Sequence, residues 1–175
     1  MRRLRYNVAT SLDGFIADPD GGYDWIVADP TVDFDALFAK FDTALMGRRT
    51  FETLLARGTG GVLPGLRTVV VSETLRAADH PTVTVVSGDV AATVRALKAE
   101  PGRDVWLFGG GVLFRSLLDA GLVDTIEVSV VPVLLGDGIP VLADGRRPSA
   151  LALTASEVLP SGIVRLTYTP AGRPG

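Results

Sequence analysis

The chain has no cysteine and a single histidine, His80. Disulfides, thiolate nucleophiles and cysteine-ligated zinc are therefore excluded, and one imidazole cannot build a histidine metal cluster, so no metal site is expected. Positive charge is also scarce: 17 Lys and Arg stand against 20 Asp and Glu, a formal net charge of −3. That balance gives no general attraction for phosphate polymers. Nucleic acid is not an expected partner, and any anionic ligand has to be caught by local geometry. An apolar run of about 18 residues, the length a membrane helix needs, does not occur. Met1-Arg2-Arg3-Leu4-Arg5 leads straight into strand-like sequence without an apolar leader. A cytoplasmic protein without membrane association is expected.

What is present suits one folded domain. Of 175 residues, 47% are hydrophobic and 21% charged, an ordinary balance for a chain with one core. The expected domain covers 1–170, with a frayed Pro/Gly-rich tail at 171–175. Short apolar or β-branched runs predict strands at Leu4–Ser11, Thr43–Met46, Arg67–Ser72, Thr82–Ser87, Asp104–Phe108, Thr125–Val133, Leu151–Leu159 and Ile163–Thr169. Phe34, Leu37, Phe38 and Phe41 recur at helical offsets behind Asp33. Further helices are predicted from Gly47 to about Arg57, over Val90–Ala99 and over Val112–Leu118. Asp18–Asp29 is polar and turn-rich and reads as a loop. Strands separated by helices imply parallel crossovers, and the closing strand pair around Pro160-Ser161-Gly162 implies an antiparallel edge. The expectation is an α/β fold with a mostly parallel mixed sheet covered by helices.

Two strand-to-helix junctions carry glycine: Met46-Gly47-Arg48-Arg49-Thr50 and Phe108-Gly109-Gly110-Gly111-Val112. A helix N-terminus presents unpaired N–H groups and partial positive charge, and glycine lets an anion approach them closely. Ligands of open α/β sheets gather at the carboxyl ends of parallel strands, so two such junctions on one rim suit the two ends of a dinucleotide. Neither has the GxGxxG spacing of the Rossmann turn or the Lys-Ser/Thr ending of the phosphate loop.

In order along the chain, Ser11-Leu12-Asp13-Gly14-Phe15-Ile16-Ala17, Met46-Gly47-Arg48-Arg49-Thr50-Phe51-Glu52, Val69-Val70-Val71-Ser72, Leu107-Phe108-Gly109-Gly110-Gly111 and Val131-Pro132-Val133-Leu134-Leu135-Gly136-Asp137-Gly138 resemble the dihydrofolate reductase-like family. Within it, the chain is most similar to the reductase domain of the bifunctional riboflavin-biosynthesis deaminase/reductase and its stand-alone bacterial homologues. The resemblance runs from about Arg5 to about Tyr168 and implies a three-layer dihydrofolate reductase-like fold. It also implies a cofactor site: Val8, Ala9 and Ile16 flanking the nicotinamide, Gly47, Arg48, Arg49 and Thr50 at the pyrophosphate and adenosine side, Ser72 near the ribose, and Gly109, Gly110, Gly111, Val112 and Leu113 completing the grip. A cis peptide between Gly109 and Gly110 is implied as well. NADPH is the implied cofactor. Glu73, where homologues often carry a basic residue, keeps NADH open, with Arg48, Arg49 or Arg76 as alternative sources of positive charge.

For the proton that accompanies hydride transfer, the resemblance points to an acid at the start of the first helix, Asp33 or Asp35. The competing roles are a helix cap for Asp33 and a solvated surface charge for Asp35. Trp25, Phe38 and Ser129 are candidate substrate contacts; core packing for Phe38 and loop anchoring for Trp25 are the alternatives. Asp13 is expected to satisfy its own turn, and His80 to be a loop residue. The expected function is NAD(P)H-dependent reduction of a small heterocycle, either the riboflavin-pathway ribosylaminouracil phosphate or dihydrofolate. The alternative is a nucleotide-binding dimeric scaffold without turnover. The zinc motif of a deaminase half is absent. A homodimer is implied by the family; the apolar run Ile126–Leu135 offers a surface for it or, equally, is core, since buried parallel strands look alike in sequence.

Overall fold

The structure is a computed structural model that describes residues 1–145 and 148–171. Among the described residues there are ten strands and four α-helices: β1 (Leu4–Ser11), β2 (Phe15–Ala17), α1 (Phe34–Phe38), β3 (Phe41–Gly47), α2 (Arg48–Ala56), β4 (Arg67–Val71), β5 (Thr84–Val86), α3 (Val90–Ala99), β6 (Asp104–Gly109), α4 (Gly111–Asp119), β7 (Thr125–Val131), β8 (Ile139–Pro140), β9 (Leu151–Val158) and β10 (Val164–Pro170). Eight strands form one sheet in the order β5-β4-β3-β6-β1-β7-β10-β9. Neighbours from β5 to β7 run parallel, while β10 lies antiparallel to both β7 and β9.

Alternating side chains of these strands bury on opposite faces. On one face Leu4, Tyr6, Leu45, Val105 and Leu107 pack with Val94 and Leu97 of α3 and Phe114 and Leu117 of α4. On the other, Phe41, Ala44, Met46 and Trp106 pack with Phe51 and Leu54 of α2, and Leu37 and Phe38 of α1 lean on the same cluster. The result is helix, sheet, helix. A small third cluster, Val131, Leu159 and Ile163, lies under the loop before α1.

The first helix is shorter than its apolar stripe suggests. It stops at Phe38, and Phe41 instead opens β3 with no solvent exposure. The stripe was produced by two elements packing into one core rather than by one long helix. The two-residue strand β8 and the three-residue β2, which pair antiparallel, are too short for a periodic signal. Within the run from Ile126, β7 is an interior strand between β1 and β10 and the sheet edge belongs to β9, while Leu134 in the loop after β7 is exposed. Of the tail, Ala171 is held by an N–H bond to Ala150 O at 2.8 Å; residues 172–175 lie outside the described residues.

Candidate active site

One groove of about 1560 Å³ runs across the carboxyl ends of the central parallel strands and is lined from both glycine junctions. Gly47 caps α2 and Gly110 caps α4, each in extended conformation with no side-chain cap bond, and neither helix carries an acid in its first turn. The other two are treated oppositely: Asp33 accepts from Ala36 N–H at the start of α1, and Asp89 accepts from Ala92 N–H at the start of α3. The helices that open into the groove therefore keep their first-turn N–H groups and positive dipole ends without a side-chain partner. That donor set fits a pyrophosphate.

The two mouths are adjacent. A Cβ built on Gly109 would lie 3.5 Å from Thr50 Oγ1, and one on Gly110 would lie 3.6 Å from it, whereas a Cβ on Gly47 would meet nothing within 4 Å. Gly109 has φ near 150° and the Gly109–Gly110 peptide is cis. Gly111 answers a different demand, because a Cβ there would lie 2.6 Å from Pro140 O; its backbone passes tightly beneath the segment after β8. Val8, Ala9, Ile16, Gly47, Arg48, Arg49, Thr50, Gly109, Gly110, Gly111, Val112 and Leu113 all line the groove. Arg48 is paired with Glu52 at 2.9 Å.

Ser72 does not line the groove; it is buried, and its Oγ accepts from the N–H groups of Thr74 and Leu75. Glu73 accepts from Gly88 N–H at 2.8 Å, which fixes its carboxylate beside the loop that leads into α3.

The substrate candidates divide. Phe38 lines the groove and meets Trp106 edge-on at 5.3 Å, so it is at once wall and core. Ser129 lines it from β7. Trp25 does not: it packs against the Val131, Leu159 and Ile163 cluster, and its buried Nε1 has no hydrogen-bond partner among the described residues. Asp33 lines the groove with its carboxylate engaged in the α1 cap, whereas Asp35 lies outside the lining. Asp13 accepts from Leu135 and Gly136 N–H rather than only within its own turn, tying the turn after β1 to a distant loop. His80 meets the Phe51 ring edge-on at 5.1 Å.

The sheet contributes groove residues that the sequence reading passed over: Asn7, Trp106, Phe108, Glu127, Arg165 and Thr167. The register places Asn7 opposite Glu127 and Ala9 opposite Ser129, with Thr167 of β10 opposite Glu127 and Arg165 opposite Ser129. Glu127 receives Arg5 Nη2 at 2.5 Å, Arg5 Nε at 3.1 Å and Asn7 Nδ2 at 3.2 Å. Burial opposes the Arg5 charge, but Glu127 and then Asp104 outweigh it and raise the pKa of its guanidinium. The available signal was a run of polar residues at period two, Glu127 and Ser129, in an interior strand that parallel sheets normally keep apolar.

This architecture and groove define a dihydrofolate reductase-like α/β protein with a cleft between two glycine-capped helices. The chain belongs to the RibD C-terminal domain family, whose model matches residues 2–165. It is 29% identical to Bacillus subtilis YyaP over 95% of this chain and 94% of that protein. With Corynebacterium ammoniagenes riboflavin biosynthesis protein RibD it shares 30% over 77% of this chain and 44% of that longer protein. Among solved structures, a protein from Shewanella sp. PV-4 named for riboflavin biosynthesis superposes with TM-score 0.81 at 28% identity, covering 97% of this chain and 99% of that one. Enterococcus faecalis dihydrofolate reductase, solved with NADP(H), shares the fold at TM-score 0.71 and 20% identity, over 97% and 96% of the two chains.

Proposed function

We propose that the protein is an NADPH-dependent reductase that transfers hydride to a small heterocycle. The carrying observation is the pair of uncapped helix mouths, Gly47 and Gly110, opening side by side into one groove. The first-turn N–H groups of α2 and α4 hold the pyrophosphate, with Thr50 between them, and Arg49 supplies a guanidinium at the mouth. Val8, Ala9 and Ile16 wall the nicotinamide end. When bound, the nucleotide supplies the hydride; the protein supplies position and exclusion of water. The loop before α1 contributes to that exclusion: Tyr23 and Ile26 line the groove, and Arg57 stacks on the Tyr23 ring at 3.6 Å, fastening the loop to the end of α2.

Asp33, which lines the groove with only its Oδ1 engaged by the Ala36 amide, remains the candidate proton donor. The protein forms a homodimer through the β9 end of the sheet, where Leu153 and Val158 are 56% and 74% exposed on a strand that is exposed along its whole length. A thermal-shift comparison tests the cofactor reading. NADPH raises the melting temperature by mass action and NADH raises it less, and absence of any shift with either nucleotide refutes it.

A further inference from the structure

Tyr6 is fully buried in β1, and its side chain does two separate things. The ring stacks on Phe114 of α4, and the hydroxyl donates to the Val141 carbonyl at 3.0 Å. Burial pushes the phenol above its ordinary pKa, so the proton stays on and the group remains a donor. The segment that receives this bond, residues 139–143, bridges two parts of the groove. On one side Ala143 N–H donates to Gly111 O at 3.4 Å, and a Cβ on Gly111 would lie 2.6 Å from Pro140 O and 3.0 Å from Ala143 N. The first turn of α4 and the segment therefore lie backbone on backbone, with no side chain between them to take up slack. On the other side Val141 N–H donates to Gly14 O at 2.9 Å, and Ile139 pairs with Ala17 of β2. Ile16 and Ile139 both line the groove. Val141 is thus held at both backbone polar atoms, its N–H by the turn after β1 and its carbonyl by Tyr6.

We propose that Tyr6 is a positioning residue for the cofactor: through Val141, its hydroxyl fixes the span between the phosphate-binding mouth of α4 and the wall that Ile16 and Ile139 present to the nicotinamide. The inference rests on the groove being the reductase site and says what sets its internal spacing. Tyr6 itself does not line the groove, so it acts only through the segment it pins. The pyrophosphate is gripped by first-turn N–H groups that belong to α4 and keep their place while the Tyr6 ring keeps its stack. The nicotinamide is tethered to that grip by a linker of fixed length. Its contact with the wall gains affinity only where the wall stands at the matching distance, since a preorganised site spares the cost of ordering it on binding. Without the hydroxyl, the Val141 carbonyl loses its donor and the segment is free to shift toward water, carrying Ile139 and its β2 partner with it.

The test uses Tyr6→Phe, which keeps the ring and removes the hydroxyl. Calorimetric titration compares NADPH with 2′-phospho-ADP-ribose, which carries every phosphate of the cofactor and lacks the nicotinamide. Wild type is expected to bind NADPH about tenfold more tightly than the fragment. The variant is expected to hold the fragment within about twofold of wild type, while the advantage of NADPH over the fragment shrinks to about twofold. Emission from the bound reduced nicotinamide, read in the same samples, is expected to move toward that of free NADPH in the variant. Equal loss of both ligands in Tyr6→Phe, the result of a merely structural tyrosine, overturns the proposal, as does an NADPH advantage that survives unchanged. Equal binding of NADPH and fragment by wild type also overturns it, needs no variant to fold, and leaves the phosphate grip standing. Binding of neither ligand refutes the reductase reading, and this inference falls with it.

Discussion

Asp29 accepts the backbone N–H of Ser161 at 2.9 Å, and through that bond the loop before α1 is fastened to the turn between β9 and β10. The same carboxylate takes the N–H of Thr31 at 2.8 Å and its hydroxyl. Asp29 is only 3% exposed and lines the groove. Hydrogen bonding from Ser161 first, then from Thr31, holds its pKa well below the ordinary 3.8. A depressed carboxylate contributes stability that is complete above its unfolded pKa and is lost as pH falls toward the folded value. Acid unfolding of the wild-type protein should therefore steepen below about pH 4, and Asp29→Asn should be less stable at neutral pH with a flatter acid limb. Parallel acid limbs for the two proteins, followed by circular dichroism, would contradict the assignment.

Val112 is the second residue of α4 and is 77% exposed at the groove. An acid there complements the helix dipole, by about 0.3–1 kcal/mol, but occupies the electrostatic place proposed for the pyrophosphate. Val112→Asp should melt no lower than wild type and bind NADPH about tenfold or more weakly, equivalent to at least ~1.4 kcal/mol. Calorimetric titration alongside the melting curve separates the two effects.

Arg48 and Arg49 differ in engagement. Arg48 is tied to Glu52, while no ion pair is found for Arg49 among the described residues. Arg49→Ala should weaken NADPH binding about tenfold, the value of a charge-assisted contact, and Arg48→Ala should do so less. Equal losses in a fluorescence titration would assign the guanidinium role to both.

Tyr6 and Phe114 stack with centroids 3.8 Å apart and planes 13° apart, joining β1 to α4 in the larger core. Phe114→Ala should cost about 3–5 kcal/mol in urea unfolding, because the cavity opens among fully buried neighbours.

At the sheet end, Leu153→Asp combined with Val158→Asp should yield a monomer by sedimentation at micromolar concentration and leave the melting curve of the isolated subunit little changed. An already monomeric wild type would remove the proposed dimer.

Legibility of the sequence followed the length over which each constraint acts. The long strands and α3 were readable because eight- to ten-residue segments carry a full period of packing. The helix mouths were readable because glycine at a strand end has a local conformational meaning, and Gly109 with φ near 150° is such a case. Residues joined only by the sheet register were not. Asn7 and Glu127 lie 120 positions apart, and their bond depends on β1 pairing with β7, which no local pattern declares. Trp25 shows the converse: a large aromatic in a polar loop suggested a ligand contact, yet the loop folds back and spends the ring on covering Val131 and Ile163.

The chain holds only two tryptophans, and the groove separates them: Trp106 borders it, whereas Trp25 is tucked beneath a loop. Reduced nicotinamide absorbs where indole emits, so the proposed cofactor, once bound in the cleft, should quench the protein's own fluorescence. Replacing Trp25 with phenylalanine would leave a single emitter, fixed by its bond to the Asn7 carbonyl, as a label-free optical gauge of each ligand that enters.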